Sequence, residues 1–175
     1  GELDIPGWSD YLHPMDEPGK LLAVGMDQDF WGTWELSVSI FDVSDPTFPH
    51  LDERVLLDAS ASEASVGHHA FTYDPETATL AIPSVAASGE SVLEVLDADP
   101  KFGLDPVGRV VQPDFGDPAC TGIRRSVIME DTVWSYSTGG LVAASVNNPD
   151  RIDATVAFVD VDPCLDLVAP DDDAQ

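Results

Sequence analysis

Short apolar runs recur along the chain about every 8 to 15 residues, and clusters of Gly, Pro, Asp and Ser separate them. No long segment has the 3.6-residue period of an amphipathic helix. Runs of this length between turn-forming residues are typical of β-strands. The pattern therefore predicts an all-β fold.

One apolar run is repeated, which indicates internal repetition of a structural unit. Each copy ends in Asp or Asn followed by Pro, where the Asx side chain favours a turn and Pro stops the strand. The three proline residues are 54 and 49 residues apart, close to the roughly 40 to 50 residues of propeller repeats. The copies are Ser37-Val-Ser-Ile-Phe-Asp-Val-Ser-Asp-Pro46, Ser91-Val-Leu-Glu-Val-Leu-Asp-Ala-Asp-Pro100 and Leu141-Val-Ala-Ala-Ser-Val-Asn-Asn-Pro149.

Each repeat contains four strand-like runs, the number of strands in a propeller blade. Hairpin-forming residues follow the first run of each repeat. The predicted strands are residues 11–15, 20–25, 36–43 and 50–57, then 69–73, 79–82, 91–96 and 107–111, then 123–129, 132–137, 141–146 and 154–159. The predicted units are blades at residues 8–58, 59–113 and 114–159, preceded by the last strand of another blade (1–7) and followed by an acidic C-terminal tail (160–175).

Three blades are fewer than the four to eight that close a propeller ring. The sequence therefore predicts about three four-stranded blades of a larger ring. The expected partners are the remaining blades of the same protein or a second copy of this chain, because open blades expose sheet faces and edges.

The residue blocks also resemble a known family, the C-terminal β-propeller domains of secreted bacterial and archaeal proteins, which are distantly related to WD repeats. The resemblance covers residues 3 to about 138. It implies a propeller fold and a secreted, periplasmic or cell-surface location, and it implies no catalytic residues. The blocks that carry it are Ile5-Pro-Gly-Trp-Ser-Asp-Tyr-Leu-His-Pro14, Ser39-Ile-Phe-Asp-Val-Ser-Asp-Pro46, Ser62-Glu-Ala64, His68-His-Ala-Phe71, Leu80-Ala-Ile-Pro83, Arg124-Arg-Ser126 and Asp131-Thr132.

The composition is strongly acidic. Asp and Glu number 33 against 7 Lys and Arg, so the formal net charge is −26. This charge repels nucleic acid and anionic lipid, so we expect neither nucleic-acid binding nor membrane insertion. Divalent-cation binding, adaptation to high salt and simple solubility each account for such a charge.

Several polar residues are candidates for chemistry at the first strands of the blades. His13, Glu63, His68 and Arg125 form a predicted polar cluster at the central channel, where they serve either a ligand or metal, or hydrogen bonding between blades. No nucleophile elbow, phosphate-binding loop or HExxH motif is present. Glu63 and His68 are therefore the pair on which a hydrolase or lyase alternative would depend.

Three further features suggest sites outside that cluster. Asp160, Asp162 and Asp166 offer oxygen ligands that suit calcium, although they lack the spacing of an EF-hand, and a solvated tail is the alternative. Cys120 and Cys164 lie in Asp-Pro-rich loops, where they are either free or joined by a disulfide. Residues 27–29 begin a hairpin loop with Trp31 and Trp34, which is either a sugar or peptide contact or packing at the blade edge.

The sequence therefore favours an exported propeller domain that binds a protein or glycan. The alternatives are a propeller hydrolase or lyase, and a propeller that binds divalent cations. No cofactor is indicated apart from the calcium alternative.

Overall fold

The computed structural model describes residues 1–158 and 164, and its strands form three antiparallel sheets in chain order. Each sheet keeps its strands in sequence order, which is the arrangement of a propeller blade. Blade 1 contains β1 (Trp8–Pro14), β2 (Lys20–Gln28), β3 (Trp34–Asp42) and β4 (His50–Leu57). The prediction of an all-β fold with repeated four-stranded units is confirmed.

The first position of blade 2 holds two short strands, β5 (Ala59–Ser62) and β6 (Thr72–Asp74), and both pair with the next strand. Two 3₁₀ turns, Glu63–Ser65 and His68–Ala70, separate them. The Ser62 Oγ accepts the Ala64 N–H at 3.1 Å, which starts the first turn. The prediction of one strand over residues 69–73 was therefore wrong in extent. The remaining strands of blade 2 are β7 (Thr79–Ala86), β8 (Ser91–Asp99) and β9 (Gly103–Val111).

Blade 3 follows a four-residue helix, α1 (Pro118–Thr121). The blade ends in a ten-residue strand that starts six residues before the predicted one. Pro149 lies inside this strand, whereas Pro46 and Pro100 lie in loops between strands. The strands of blade 3 are β10 (Ile123–Met129), β11 (Thr132–Ser137), β12 (Gly140–Ser145) and β13 (Asn148–Ala157).

Two apolar cores lie between neighbouring blades, because alternate residues of blade 2 point to opposite faces of its sheet. In β8, Leu93 and Val95 contact blade 3, while Leu96 and Ala98 contact blade 1. Burial on both faces explains why the middle strands of blade 2 read as continuous apolar runs. The core between blades 1 and 2 includes Leu22, Val24, Leu36, Val38, Ile40, Leu80 and Ile82, and the core between blades 2 and 3 includes Ala81, Val110, Ile123, Val133, Val142 and Ala144.

Residues 1–7 lie against blade 1. The backbone nitrogen of Gly1 donates to the carbonyl oxygen of Pro46 at 2.6 Å, and the carbonyl of Pro6 accepts from Arg54 Nη1 at 3.1 Å. Leu3 and Ile5 are half-buried and alternate with exposed neighbours. The segment forms no strand with the described residues, so its assignment to a preceding blade stays a prediction.

Many of the acidic residues hold turns in place. Asp45 Oδ1 accepts the Thr47 N–H at 2.8 Å, and Asp99 Oδ1 accepts the Lys101 N–H at 2.7 Å. These are Asx turns, in which the carboxylate replaces a backbone acceptor. Hydrogen bonds from the Thr47 side chain and backbone hold the pKa of Asp45 below its usual value. Part of the negative charge therefore serves the loops between strands.

A disulfide joins Cys120 and Cys164, which are 44 residues apart. It connects α1, just before blade 3, with the chain that follows β13. Both ends of blade 3 are thereby tied together. The calcium candidates Asp160, Asp162 and Asp166 and the rest of the predicted tail apart from Cys164 lie outside the described residues.

Candidate functional site

The predicted polar cluster does not converge on one point. His13 lies among aromatic rings of blades 1 and 2, 5.0 Å from Phe71 and 5.9 Å from Tyr73 between ring centroids. Its Nδ1 is 3.4 Å from the Tyr11 hydroxyl. Burial lowers the pKa of His13 and raises that of Tyr73 to about 12. His13 is therefore a neutral packing residue at the boundary of two blades near pH 7.

Glu63 forms an ion pair with Arg124, and the prediction of Arg125 at this place was wrong. The Glu63 Oε1 and the Arg124 Nη1 are 2.8 Å apart, and both side chains are about one-third exposed. Arg125 is exposed, and its Nη1 donates to the carbonyl of Arg124 at 2.7 Å. The pairing register of β10 with β11 shifts between Ile123 and Arg125. Because of this shift, the Arg124 side chain and not that of Arg125 faces blade 2.

The rings of His68 and His69 contact each other in a tilted arrangement with centroids 3.9 Å apart, and both residues are exposed. Within the described part of the chain, no hydrogen bond connects His68 with Glu63. A general acid and base that cooperate need hydrogen-bond reach to one reacting group. The pairing that the hydrolase alternative requires is therefore not formed, and Glu63 instead connects blades 2 and 3.

Two neighbouring cavities of about 570 and 360 Å³ lie along the boundary of blades 2 and 3. They share Gly89, Ser91 and Gly122 in their linings. The Ser91 Oγ accepts the Ile123 N–H at 2.8 Å, so the wall between them joins both blades. Glu63 and Arg124 line the smaller cavity and already neutralise each other.

A second group of titratable side chains surrounds Lys20 on blade 1. Asp42, His50 and Asp52 place potential metal-binding atoms close together. The Lys20 ammonium lies 2.9 Å from Asp42 Oδ2 and also binds Asp52. Hydrogen bonds from Ser44 and Lys20 keep the pKa of Asp42 below its usual value. The Lys20 ammonium thus occupies the position that a metal ion would take between these carboxylates. The four side chains therefore form a salt-bridge cluster.

Four aromatic side chains lie exposed at the β2–β3 end of blade 1, and we call them the aromatic cluster. Phe30 and Trp31 are 91% and 85% exposed, and Trp8 and Trp34 are 49% and 45% exposed. Ring centroids are 5.2 Å apart in the Phe30–Trp31 pair and 4.8 Å apart in the Trp8–Trp34 pair. Trp31 and Trp34 were predicted from the sequence, whereas Phe30 and Trp8 were missed. Trp8 pairs with Met26 of β2, and Met26 pairs with Leu36 of β3. Trp34 lies two residues from Leu36 on the same face, so the sheet register brings Trp8 next to Trp34.

The loop that carries Phe30 and Trp31 is held by local hydrogen bonds. The Asp29 Oδ1 accepts the N–H groups of Trp31 at 2.8 Å and Thr33 at 2.7 Å. Gly32 adopts a positive φ of 84°, which glycine tolerates without strain. These hydrogen bonds therefore fix the conformation of the loop while the Phe30 and Trp31 rings remain exposed to solvent.

Glu94 is a buried carboxyl in the middle of blade 2. Its Oε1 is 3.5 Å from Arg109 Nη2 and from the Ser84 hydroxyl. Burial raises the pKa of Glu94, and the Arg109 guanidinium only partly opposes this. Ionisation of Glu94 therefore destabilises the folded protein. Stability is lost as the pH rises from the ordinary Glu pKa of the unfolded chain through the raised pKa of the folded protein.

We expect Glu94→Gln to stabilise the protein more at pH 8 than at pH 3.5, because Gln has nearly the shape of protonated Glu and never ionises. The measurement is the melting temperature of both proteins at the two pH values. Glu90→Gln on the exposed turn of the same blade is the control. Because Glu90 is not buried, its replacement should not show this difference between the two pH values. A Glu94→Gln effect that is the same at both pH values would contradict the expectation.

Comparison with known proteins identifies the class. The family described as Beta propeller domain matches residues 1–148, and the chain belongs to this family. An uncharacterized protein of Archaeoglobus fulgidus is 38% identical over 84 residues, which are 48% of this chain and 13% of that protein. The uncharacterized protein MJ1554 of Methanocaldococcus jannaschii is 36% identical over 84 residues, again 48% of this chain and 13% of the relative.

The matched segment spans about an eighth of the length of each relative. Within the residues that the structure describes, no helix has the length and apolar character needed to cross a membrane.

Proposed function

We propose that this chain is a non-catalytic binding domain of an exported propeller and that the aromatic cluster is its recognition surface. The observation that carries the proposal is the display of Phe30 and Trp31 on an ordered loop, almost fully in water. Large exposed apolar groups add nothing to the core of the fold, and aromatic residues are enriched where proteins bind partners. The proposed ligand is a protein or a polysaccharide.

The alternatives have weaker support. A hydrolase or lyase would need Glu63 and His68 to act together, but Glu63 binds Arg124. A divalent-cation site on blade 1 would have to displace Lys20 from Asp42 and Asp52. Export is supported by the Cys120–Cys164 disulfide, since such bonds persist mainly in oxidising compartments.

We expect Trp31→Ala to weaken binding to protein or polysaccharide ligands about tenfold or more, because aromatic anchors contribute most of the energy in many interfaces. Binding is measured by retention on insoluble polysaccharides and on immobilised envelope proteins. Phe102→Ala is the control, because Phe102 is 88% exposed on another blade and has no neighbouring ring among the described residues. Both variants should melt like the parent protein.

Equal retention of the parent protein and Trp31→Ala on every bound ligand would exclude the aromatic cluster as the recognition surface. Turnover of a substrate by the parent protein would overturn the non-catalytic assignment. Loss of binding in Phe102→Ala alone would place the surface on blade 2.

We also propose that blade 3 binds a further blade, supplied by additional polypeptide of the same protein or by a second copy. Its outward face carries Val127, Met129 and Val156, each at least half exposed, beside Tyr136. The corresponding apolar residues of blade 2 are buried by neighbouring blades on both faces. Burying such surface yields roughly 25 cal/mol per Å².

The chain is therefore expected to self-associate at high concentration, and Val127→Glu combined with Val156→Glu is expected to prevent association. Light scattering measures the mass directly. A monodisperse species of 18.7 kDa that binds no apolar dye would contradict the proposal. Val66→Glu on blade 2 is a control, because Val66 is exposed but lies away from the outward face of blade 3.

A further inference from the structure

The surroundings of the aromatic cluster are acidic. Residues 1–58 contain 13 Asp and Glu residues but only Lys20 and Arg54 as Lys or Arg. Both cations are already paired, Lys20 with Asp42 and Asp52, and Arg54 with Asp27. Blade 1 therefore presents aromatic rings and carboxylates without a free Lys or Arg.

A carboxylate lies next to the exposed rings themselves. The Asp10 Oδ1 accepts the indole N–H of Trp8 at 2.9 Å, and the ring centroids of Trp8 and Trp34 are 4.8 Å apart. Glu35 follows Trp34 in β3 and therefore points to the opposite face of the sheet, so it is not part of this surface. Asp10 is exposed, so its negative charge is available to a ligand that stacks on these indoles.

Aromatic faces and carboxylates together favour one kind of ligand group. The face of an indole attracts an Arg or Lys side chain, and an adjacent carboxylate adds a charge-assisted hydrogen bond. A neutral sugar would use the ring faces but not the charge, and an anionic glycan would be repelled by the net charge of −26. Charge complementarity therefore distinguishes among the proposed ligands.

We infer that the aromatic cluster docks a basic protein segment, with Arg side chains stacked on Trp31 and Trp34 and paired with Asp10. This inference rests on the proposed function, because it specifies the ligand class of the same surface. The long-range attraction of the acidic domain accelerates encounter with such a partner, and added salt slows it.

The test uses a synthetic peptide that alternates Arg and Gly, a matched peptide that alternates Glu and Gly, and cellohexaose as a neutral sugar. Calorimetry gives the affinities, and tryptophan fluorescence locates binding. Three of the four tryptophans are in the cluster, and Trp134→Phe removes the signal of the fourth. We expect the Arg peptide to bind, the Glu peptide not to bind, and near-molar salt to reduce affinity about tenfold.

Variants separate site binding from general charge attraction. Trp31→Ala should reduce affinity for the Arg peptide at least about tenfold, although it leaves the charge unchanged. Asp10→Asn should reduce it several-fold, while Glu90→Gln removes the same charge from blade 2 and should have little effect. Melting temperatures of all variants show that each is folded.

Each other outcome overturns the inference. Equal losses in Asp10→Asn and Glu90→Gln, without an effect of Trp31→Ala, would mean that the peptide responds only to the overall charge. Failure of the Arg peptide to bind overturns the basic partner directly. If cellohexaose binds and Trp31→Ala abolishes that binding, the proposed function stands while the basic partner is rejected. If no ligand is sensitive to Trp31→Ala, both fail.

Discussion

Reduction of the Cys120–Cys164 disulfide is expected to lower the free energy of unfolding by about 4 kcal/mol. The bond closes a loop of 44 residues that contains all of blade 3, and the entropy that such a bond removes from the unfolded chain grows with loop length. For a domain of this size, each kcal/mol corresponds to roughly 2 to 4 °C in melting temperature. Calorimetry with and without a reducing agent measures the change.

The double variant Cys120→Ser/Cys164→Ser is the matched control. It should melt like the reduced parent protein, and a reducing agent should not change it further. Hydrogen exchange should show the largest loss of protection in blade 3, because blades 1 and 2 share a separate core. A double variant that melts like the oxidised protein would show that the bond adds nothing to stability.

The repeated alternation of apolar and polar residues was sufficient to predict the blades. Lys20 to Gly25 and Ser37 to Phe41 alternate or run apolar because one face or both faces of each sheet are buried. Turn residues such as Asp45 form hydrogen bonds within their own loops, so a short segment of sequence is also sufficient to predict the turns. Strand positions therefore followed from short segments of sequence.

The candidate site was harder to predict because it depends on register between distant segments. A shift of one residue at the start of β10 brings Arg124 instead of Arg125 to Glu63, 61 residues earlier. The second 3₁₀ turn of blade 2, His68–Ala70, occupies the start of the run 69–73, which was predicted as a strand. Neither effect leaves a periodic signal in the sequence.

The aromatic cluster also combines residues that are predictable from local sequence with a residue that depends on strand register. The hairpin loop with Trp31 and Trp34 is contiguous in sequence and was recognised there. Trp8 joins it only through the pairing of β1 with β2 and of β2 with β3. The surface is thus partly local and partly a result of sheet register.

The last large effect concerns a buried ion pair on blade 1 that the sequence did not indicate. Arg54 in β4 binds Asp27 in β2, and the two side chains are only 12% and 11% exposed. Arg54 Nε also donates to the Ser39 hydroxyl at 2.8 Å, and Nη1 donates to the carbonyl of Pro6 at 3.1 Å. One guanidinium therefore connects three strands of blade 1 and residues 1–7.

Arg54→Ala is expected to lower the free energy of unfolding by about 3 to 5 kcal/mol, because it leaves the Asp27 carboxylate buried without its partner. Arg151→Ala provides a matched control: Arg151 and Asp153 form an ion pair at 2.7 Å but are 72% and 40% exposed, so its loss should cost less than about 1 kcal/mol. Chemical denaturation measures both values. The double variant Asp27→Leu/Arg54→Met should recover most of the stability, since no charge remains buried. If Arg54→Ala costs no more than Arg151→Ala, the pair does not stabilise blade 1, and residues 1–7 must be held by other contacts.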